Sequence, residues 1–259
     1  MSIENPLILV TNDDGITAPG ILTLIETAKK ITNNIVVVAP DKPQSGMGHA
    51  ITMNSMLRIV PAPIEGVKAF SCSGTPVDCV KIAMAKVLES KPDLIISGIN
   101  HGSNSSINVI YSGTMSAAVE GAIEGIPSIG FSLCDHSIDA DFIPATAYIE
   151  RIIKFALANP MKKHTCWNVN FPALTSDLIR GIKVCRQANA VWEEEFDERH
   201  DPSGKPYYWL SGKFVNHEPN NEDTDEWALA NGFVSIVPVQ YDVTAYKSID
   251  QLKELENEG

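Results

Sequence analysis

Short apolar strands alternate with segments of helical spacing through the first 160 residues, and this alternation limits the fold more than any other feature. The predicted strands are 7–11, 35–39, 68–71, 93–97 and 127–133. The predicted helices are 19–31, 75–88, 114–124 and 144–158. Apolar strands that alternate with helices indicate a parallel sheet covered on both faces, with right-handed crossovers. The sequence therefore predicts an α/β protein with a Rossmann-like, doubly wound, mostly parallel sheet.

The pattern changes in the last third of the chain. Strands are predicted at 167–171, 182–186 and 233–239, and a short helix at 249–255. Residues 187–218 form either a β-hairpin that projects from the body and turns at Ser211-Gly212, or a long ordinary loop. In either case the charge-dense segment 193–201 is expected to be turn-like. We expect one domain, 1–259, in which hairpin 187–218 and a C-terminal extension, 240–259, make subunit contacts.

Charge and composition exclude several classes of function. The 259 residues contain 20 Lys+Arg and 32 Asp+Glu, a net charge of −12, so duplex nucleic acid is not an expected partner. No stretch approaches the ~18 apolar residues of a membrane span. The five cysteines include no CxxC pair, and the N-terminus lacks the basic and apolar regions of a signal peptide. These features predict a cytoplasmic protein with reduced thiols and no membrane partner.

Three predicted loops follow apolar strands, so all three are expected at the carboxyl edge of the sheet, where open α/β sheets bind ligands. They contribute the carboxylates of Asp13 and Asp14, the hydroxyl of Ser45 and the amide of Asn100. Hard oxygen ligands of this kind suit Mg²⁺ or Mn²⁺ better than zinc. A turn or a helix N-cap also accounts for the segment Asn-Asp-Asp-Gly by itself. The three loops together favour a metal site.

A second candidate feature is the segment Ser112-Gly113-Thr114 at the start of a predicted helix. Free backbone N–H groups and the helix dipole make such a start an anion site, although simple capping by Ser112 or Thr114 is the commoner use. A cation that faces an anion-binding helix start suggests phosphoryl chemistry. An NAD-type site is not expected, because no GxGxxG follows the first strand.

An ordered set of motifs resembles the SurE family of metal-dependent 5′-nucleotidases. The matching segments are ILVTNDDGITAPGI (8–21), VVVAPDKPQSGMGHAIT (36–52), SGTPVDCVKIA (73–83), PDLIISGINHGSN (92–104), YSGTMSAAVEGAIEGIPSIGFS (111–132), WNVNFP (167–172) and DEWALANGFVSIVPV (225–239). They keep the order of the family and span nearly the whole chain. The resemblance implies a Rossmann-like core with a C-terminal β-hairpin and helix extension that supports a homodimer or homotetramer.

The resemblance also implies the reaction and its metal. One divalent cation would be held by Asp13, Asp14, Ser45 and Asn100. The substrates would be nucleoside 5′-monophosphates, with 3′-nucleotides and short polyphosphate as further substrates. Asp13 would act as general base on the attacking water or as a covalent nucleophile, two roles that the sequence does not separate.

Several residues are candidates for substrate contacts. Our candidates for holding the phosphate are Asn104, Ser112, Gly113 and Thr114, and the candidate proton donors to the leaving alkoxide are His49 and His101. The aromatic residues of the second half line a base-binding surface or pack a hairpin or subunit contact; they are Trp192, Tyr207, Tyr208 and Trp209. The alternative function of another class is a non-catalytic sensor that binds a nucleotide in the same crevice.

Overall fold

A computed structural model describes residues 4–257. Residues 1–3 and 258–259, which belong to the predicted domain 1–259 and extension 240–259, lie outside the described residues. The strands of the part described are β1 (Ile8–Thr11), β2 (Ile35–Pro40), β3 (Ile59–Pro61), β4 (Lys68–Cys72), β5 (Leu94–His101), β6 (Ser128–Leu133), β7 (Thr165–Phe171), β8 (Ile182–Val184), β9 (Ala190–His200), β10 (Pro206–Asn216) and β11 (Val234–Gln240). The helices are α1 (Pro19–Lys29), α2 (Pro76–Ile82), α3 (Asn108–Tyr111), α4 (Gly113–Ile123), α5 (Ile143–Ala158), α6 (Asp225–Ala230) and α7 (Ile249–Leu252).

A nine-stranded sheet runs through the molecule in the order β3-β4-β2-β1-β5-β6-β7-β11-β8. Six neighbouring strands of this order are mutually parallel, namely β4, β2, β1, β5, β6 and β7. Strand β3 pairs antiparallel with β4, and β11 pairs antiparallel with β7. The chain winds outward in one direction from β1 to β2 and in the other from β1 to β5. This confirms the predicted doubly wound, mostly parallel sheet and places a switch point between β1 and β5.

Helices cover both faces of the sheet, as expected for central strands that are buried along their whole length. In β1, Ile8 and Val10 join the core on the side of α1 and α5, whereas Leu9 joins the core on the side of α2. Helix α4 approaches the sheet closely because its residues are small. A Cβ added at Gly121 would lie 2.0 Å from the Ser128 hydroxyl oxygen. Among residues 4–257, no helix is long and apolar enough to cross a membrane.

The helix predicted over 75–88 is confirmed as a continuous helical segment, an α-helix over Pro76–Ile82 followed by a π-helix over Ala83–Val87. Two predictions about the hairpin are wrong. The hairpin does not turn at Ser211-Gly212, and its first arm is a strand rather than the turn-like segment expected at 193–201. Strands β9 and β10 pair along their whole length, and the chain turns at 201–205.

The side chain of Asp201 explains this position of the turn. Its Oδ1 atom accepts hydrogen bonds from the backbone N–H groups of Ser203, at 2.8 Å, and Lys205, at 2.9 Å. Gly204 supplies the positive φ of +78° that the turn requires. Gly212 instead lies within β10, opposite Glu194.

Candidate active site

A cavity of about 770 Å³ opens at the carboxyl ends of the parallel strands, beside the switch point. Three of the four predicted metal ligands line it: Asp13, Ser45 and Asn100. The fourth, Asp14, is not part of the cavity wall but follows Asp13 directly and contacts a wall residue, His101. Segments that lie far apart in sequence thus supply one set of oxygen atoms.

Asp13 is the most buried of these side chains, with 4% of its surface exposed. Its Oδ1 atom accepts a hydrogen bond from the Thr114 hydroxyl, at the first turn of α4. A Cβ added at Gly113 would lie 2.7 Å from the Asp13 Cβ, so only glycine allows the helix to approach this closely. Burial is the main cause that raises the pKa of Asp13 to about 6, and the charge of Asp14 is the second cause. The positive end of α4 therefore faces a buried, crowded carboxylate.

Asp14 is tied to the end of β5. Its Oδ2 atom accepts a hydrogen bond from the backbone N–H of His101, at 3.2 Å, and lies 3.3 Å from the His101 Nδ1 atom. The His101 ring in turn packs edge-on against Phe142, with the ring centroids 4.8 Å apart. These contacts place the second carboxylate next to the segment that carries Asn100.

Asn100 lies on strand β5 itself rather than in the predicted loop after residue 97. The register of β5 against β6 shifts between Ser97 and Asn100, and pairing resumes at Asn100 opposite Ser132. The Asn100 amide nitrogen donates to the carbonyl oxygens of His101, at 3.1 Å, and Gly102, at 2.8 Å. Because the nitrogen is engaged, the oxygen Oδ1 is the atom left to meet a cation.

Ser45 belongs to an exposed loop, 41–52, that is fixed by contacts on either side of it. The backbone N–H of Gln44 donates to the Asp13 carbonyl oxygen at 2.8 Å, and the next residue, Ser45, lines the same cavity as Asp13. Farther along, the backbone N–H of Gly48 donates to the Tyr111 carbonyl oxygen at 3.1 Å. The His49 Nε2 atom lies 2.9 Å from Oε2 of Glu120, a buried residue of α4.

The chemistry of these donors fits a hard divalent cation. Within residues 4–257, neither Asp13 nor Asp14 has a lysine or arginine ion-pair partner, and the nearest nitrogen base is the His101 ring, 3.3 Å from Asp14. The described residues include no cluster of three or more His, Cys, Asp or Glu that could bind a metal. Two carboxylates, a hydroxyl and an amide oxygen match the ligands of Mg²⁺ or Mn²⁺.

The candidate phosphate ligands already have partners within the chain. The Ser112 hydroxyl caps α4 by accepting from the Met115 N–H at 3.0 Å, and the Thr114 hydroxyl donates to Asp13. The Asn104 amide nitrogen donates to the Ser132 hydroxyl at 2.8 Å. Asn104 and Ser112 line the cavity, whereas Gly113 and Thr114 lie behind Asp13. Their role in phosphate binding stays a prediction.

The two candidate proton donors differ in position. His101 lines the cavity, whereas His49 contacts Glu120 and is not part of the wall. The structure adds an acidic group that sequence reasoning did not select. Glu226, on α6, lines the cavity, accepts a hydrogen bond from the Ser105 hydroxyl at 2.5 Å, and has its pKa raised by burial.

Comparisons with known proteins agree with this architecture. The sequence model of the family described as survival protein SurE matches residues 8–194. A protein of Flavobacterium psychrophilum named 5′-nucleotidase SurE is 58% identical over 252 residues, which is 96% of this chain and 97% of that protein. A protein of the same name from Christiangramia forsetii is 60% identical over 255 residues, 97% of each chain. The crystal structure of the SurE protein from Aquifex aeolicus superposes with a TM-score of 0.84 at 40% identity, covering 97% of this chain and 100% of that one.

Proposed function

This chain belongs to the SurE family, and we propose that it is a divalent-metal-dependent phosphomonoester hydrolase that converts nucleoside 5′-monophosphates to nucleoside and phosphate. The relatives that carry the name 5′-nucleotidase match nearly its full length, which supports the same reaction here. We include 3′-nucleotides and short polyphosphate as further substrates. The expected metal is Mg²⁺ or Mn²⁺.

One observation carries this proposal beyond the family name. The oxygen donors of Asp13, Ser45 and Asn100 come from three separate segments, line one cavity, and have Asp14 beside them. The cavity lies at the switch point of a doubly wound sheet, the usual ligand position in this class of fold. When bound there, a divalent cation would neutralise phosphate charge and polarise a phosphoryl oxygen.

The residues of the chain would divide the work as follows. Asp13, Asp14, Ser45 and Asn100 would hold the cation, and Asp13 would also accept the proton of the attacking water. Thr114 keeps the Asp13 carboxylate oriented through its hydroxyl. His101, on the cavity wall, is the better placed of the two histidines to protonate the leaving alkoxide.

The experiment measures phosphate release from a panel of 5′- and 3′-mononucleotides with Mg²⁺, Mn²⁺, Co²⁺ or EDTA. We expect release from 5′-mononucleotides with Mg²⁺ or Mn²⁺ and none with EDTA. Binding of AMP or GMP without phosphate release under every metal condition would favour the nucleotide sensor instead. A phosphoryl group trapped on Asp13 would assign it the role of covalent nucleophile.

The assembly and location also belong to this proposal. A homodimer or homotetramer is supported by the exposed apolar residues of hairpin 187–218, including Phe196 and Leu210, which are 67% and 62% exposed. We extend the same role to the C-terminal extension 240–259, whose described part is mostly exposed. The five free cysteines support a reducing compartment such as the cytoplasm.

A further inference from the structure

An aromatic pair from the base of the hairpin forms part of the wall of the same cavity that holds Asp13 and Asn100. Trp192 and Phe214 face each other across β9 and β10, and both line the cavity. Trp192 keeps 47% of its surface exposed although it lies in this recess. A volume of about 770 Å³ is far more than a phosphate group requires and falls in the range of pockets for whole small molecules.

The orientation of the indole is fixed by the body of the protein. Its Nε1–H donates to Oδ1 of Asn108, on α3, at 2.8 Å. The rings of Trp192 and Phe214 lie with centroids 5.4 Å apart and planes tilted by 60°, so they do not stack face to face. The hairpin base is tied to the same region, because the Ser106 hydroxyl lies 2.9 Å from the carbonyl oxygen of Ala190. The N–H of the indole is therefore already satisfied, and the flat ring surface is what it can offer to a ligand.

We propose that Trp192, supported by Phe214, is the platform on which the nucleobase of the substrate stacks. This inference rests on the proposed function, because the phosphate end of the same molecule would lie at the predicted metal ligands. A flat aromatic base is the part of a nucleotide that an exposed indole face recognises. Stacking needs no particular pattern of hydrogen-bond groups, so this subsite tolerates different bases and favours the larger purines.

The test compares a substrate that has the base with one that lacks it. The variants Trp192→Leu and Trp192→Phe are assayed with AMP and with ribose 5-phosphate in the presence of Mn²⁺. The measured quantity is the ratio of kcat/KM for AMP to kcat/KM for ribose 5-phosphate. We expect Trp192→Leu to lower this ratio about tenfold, mainly through KM for AMP, and Trp192→Phe to keep it within about threefold of wild type.

Two further variants complete the design. Trp209→Leu is the matched control, because Trp209 is on the same hairpin, 60% exposed, and not part of the cavity wall; its ratio should equal that of wild type. Asn108→Ala removes the anchor of the indole without touching the ring and should lower the ratio by a smaller factor.

A ratio for Trp192→Leu equal to that of wild type would overturn the platform, even if both substrates were hydrolysed more slowly. An equal fall of the ratio in Trp209→Leu would overturn it as well. Wild-type protein that releases phosphate from neither substrate would refute the proposed hydrolase itself. Normal release from AMP with an unaltered ratio in Trp192→Leu would refute only the platform.

Discussion

Asp13 combines properties that a structural carboxylate rarely needs. It is 4% exposed, adjoins a second carboxylate, and accepts a hydrogen bond from the hydroxyl of Thr114 at the start of α4. We expect Asp13→Asn to lower kcat by at least about a hundredfold, because an amide neither accepts the proton of water nor neutralises a cation. Thermal unfolding should show a Tm equal to or above that of wild type, since the change removes a buried charge. Near-normal phosphate release from the folded variant would remove Asp13 from the mechanism.

Asp78 illustrates a carboxylate with a structural role. In the capping box of α2 it accepts hydrogen bonds from the backbone N–H of Thr75, at 2.9 Å, and from the Thr52 hydroxyl, at 2.6 Å. Burial alone would raise the pKa of Asp78, but these hydrogen bonds together lower it. A lowered pKa means that the folded state prefers the ionised form, so Asp78 stabilises the protein above about pH 4 and loses that effect as the pH falls below its folded pKa.

We therefore expect Asp78→Asn to reduce the free energy of unfolding at pH 7 by about 1–3 kcal/mol. The difference from wild type should shrink as the pH is lowered through the range below about 4. Urea unfolding of both proteins across this pH range measures it, with Asp139→Asn in an exposed segment as the control. A difference that grows toward acid pH would contradict the assignment.

The sequence predicts which residues gather at the cavity where local patterns carry the information. Asp13 and Ser45 follow apolar strands, so the strand pattern alone places them at one edge of the sheet. Glu226 was not predicted, because it enters the cavity through the packing of α6 against a loop more than 100 residues earlier, where it meets Ser105. No local pattern in a short acidic segment distinguishes such a residue from a solvated one.

Helix α4 links the candidate metal site to its surroundings through Glu120. This side chain is 2% exposed and contacts His49 of loop 41–52, at 2.9 Å, and Lys81 of α2, at 2.5 Å. Burial alone would raise the pKa of Glu120, but the contacts with His49 and Lys81 lower it, so the carboxylate is ionised. Because Ser45 lies on the same loop as His49, we expect Glu120 to help position this predicted ligand through its contact with His49.

We expect Glu120→Gln to raise the Mn²⁺ concentration needed for half-maximal activity by about tenfold, as changes behind metal ligands often do. Glu124→Gln, at the end of the same helix, is the matched control and should leave the metal requirement unaltered. Activity is titrated with Mn²⁺ at saturating AMP. A merely structural role for Glu120 would lower Tm but leave the metal titration unchanged.

At the level of elements, apolar alternation predicted the sheet well and failed at the hairpin. Strands β9 and β10 are almost entirely exposed, so no buried face imposes a pattern on their residues. The Ser211-Gly212 pair resembled a turn, but the hydrogen bonds to Asp201 stabilise the turn at 201–205. The boundary of β5 was missed for a different reason, since its register shift depends on pairing with β6.

The molecule as a whole carries a net charge of −12, which repels a phosphate dianion. A bound divalent cation should therefore serve both the reaction and the folded state. We expect EDTA to abolish activity and added Mn²⁺ to restore it and to raise Tm, because a ligand that binds only the folded state stabilises that state. The rise in Tm should be smaller in Asp13→Asn. Differential scanning fluorimetry measures the rise in Tm. An equal rise in wild type and in Asp13→Asn would mean that the cation does not bind at Asp13.

The exposed apolar face of the hairpin is the surface on which we expect the subunits to assemble. Phe196 and Leu210 are paired across β9 and β10, so they share one face, and both are more than 60% exposed. An apolar face of this kind on an otherwise acidic protein is expected to be covered by a second copy of the chain. Leu210→Glu should weaken self-association by about tenfold or more, because a charge would be buried without a partner.

Light scattering after size-exclusion chromatography across a range of protein concentrations measures this effect. Wild type should elute as a dimer or tetramer, and Leu210→Glu should shift toward the monomer as the protein is diluted. The control is Ile138→Glu, the same kind of change at a site that is 90% exposed and outside the hairpin. Because Leu210 is exposed in the single chain, the fold should survive the substitution. An unaltered mass at every concentration would exclude this face from the subunit contact.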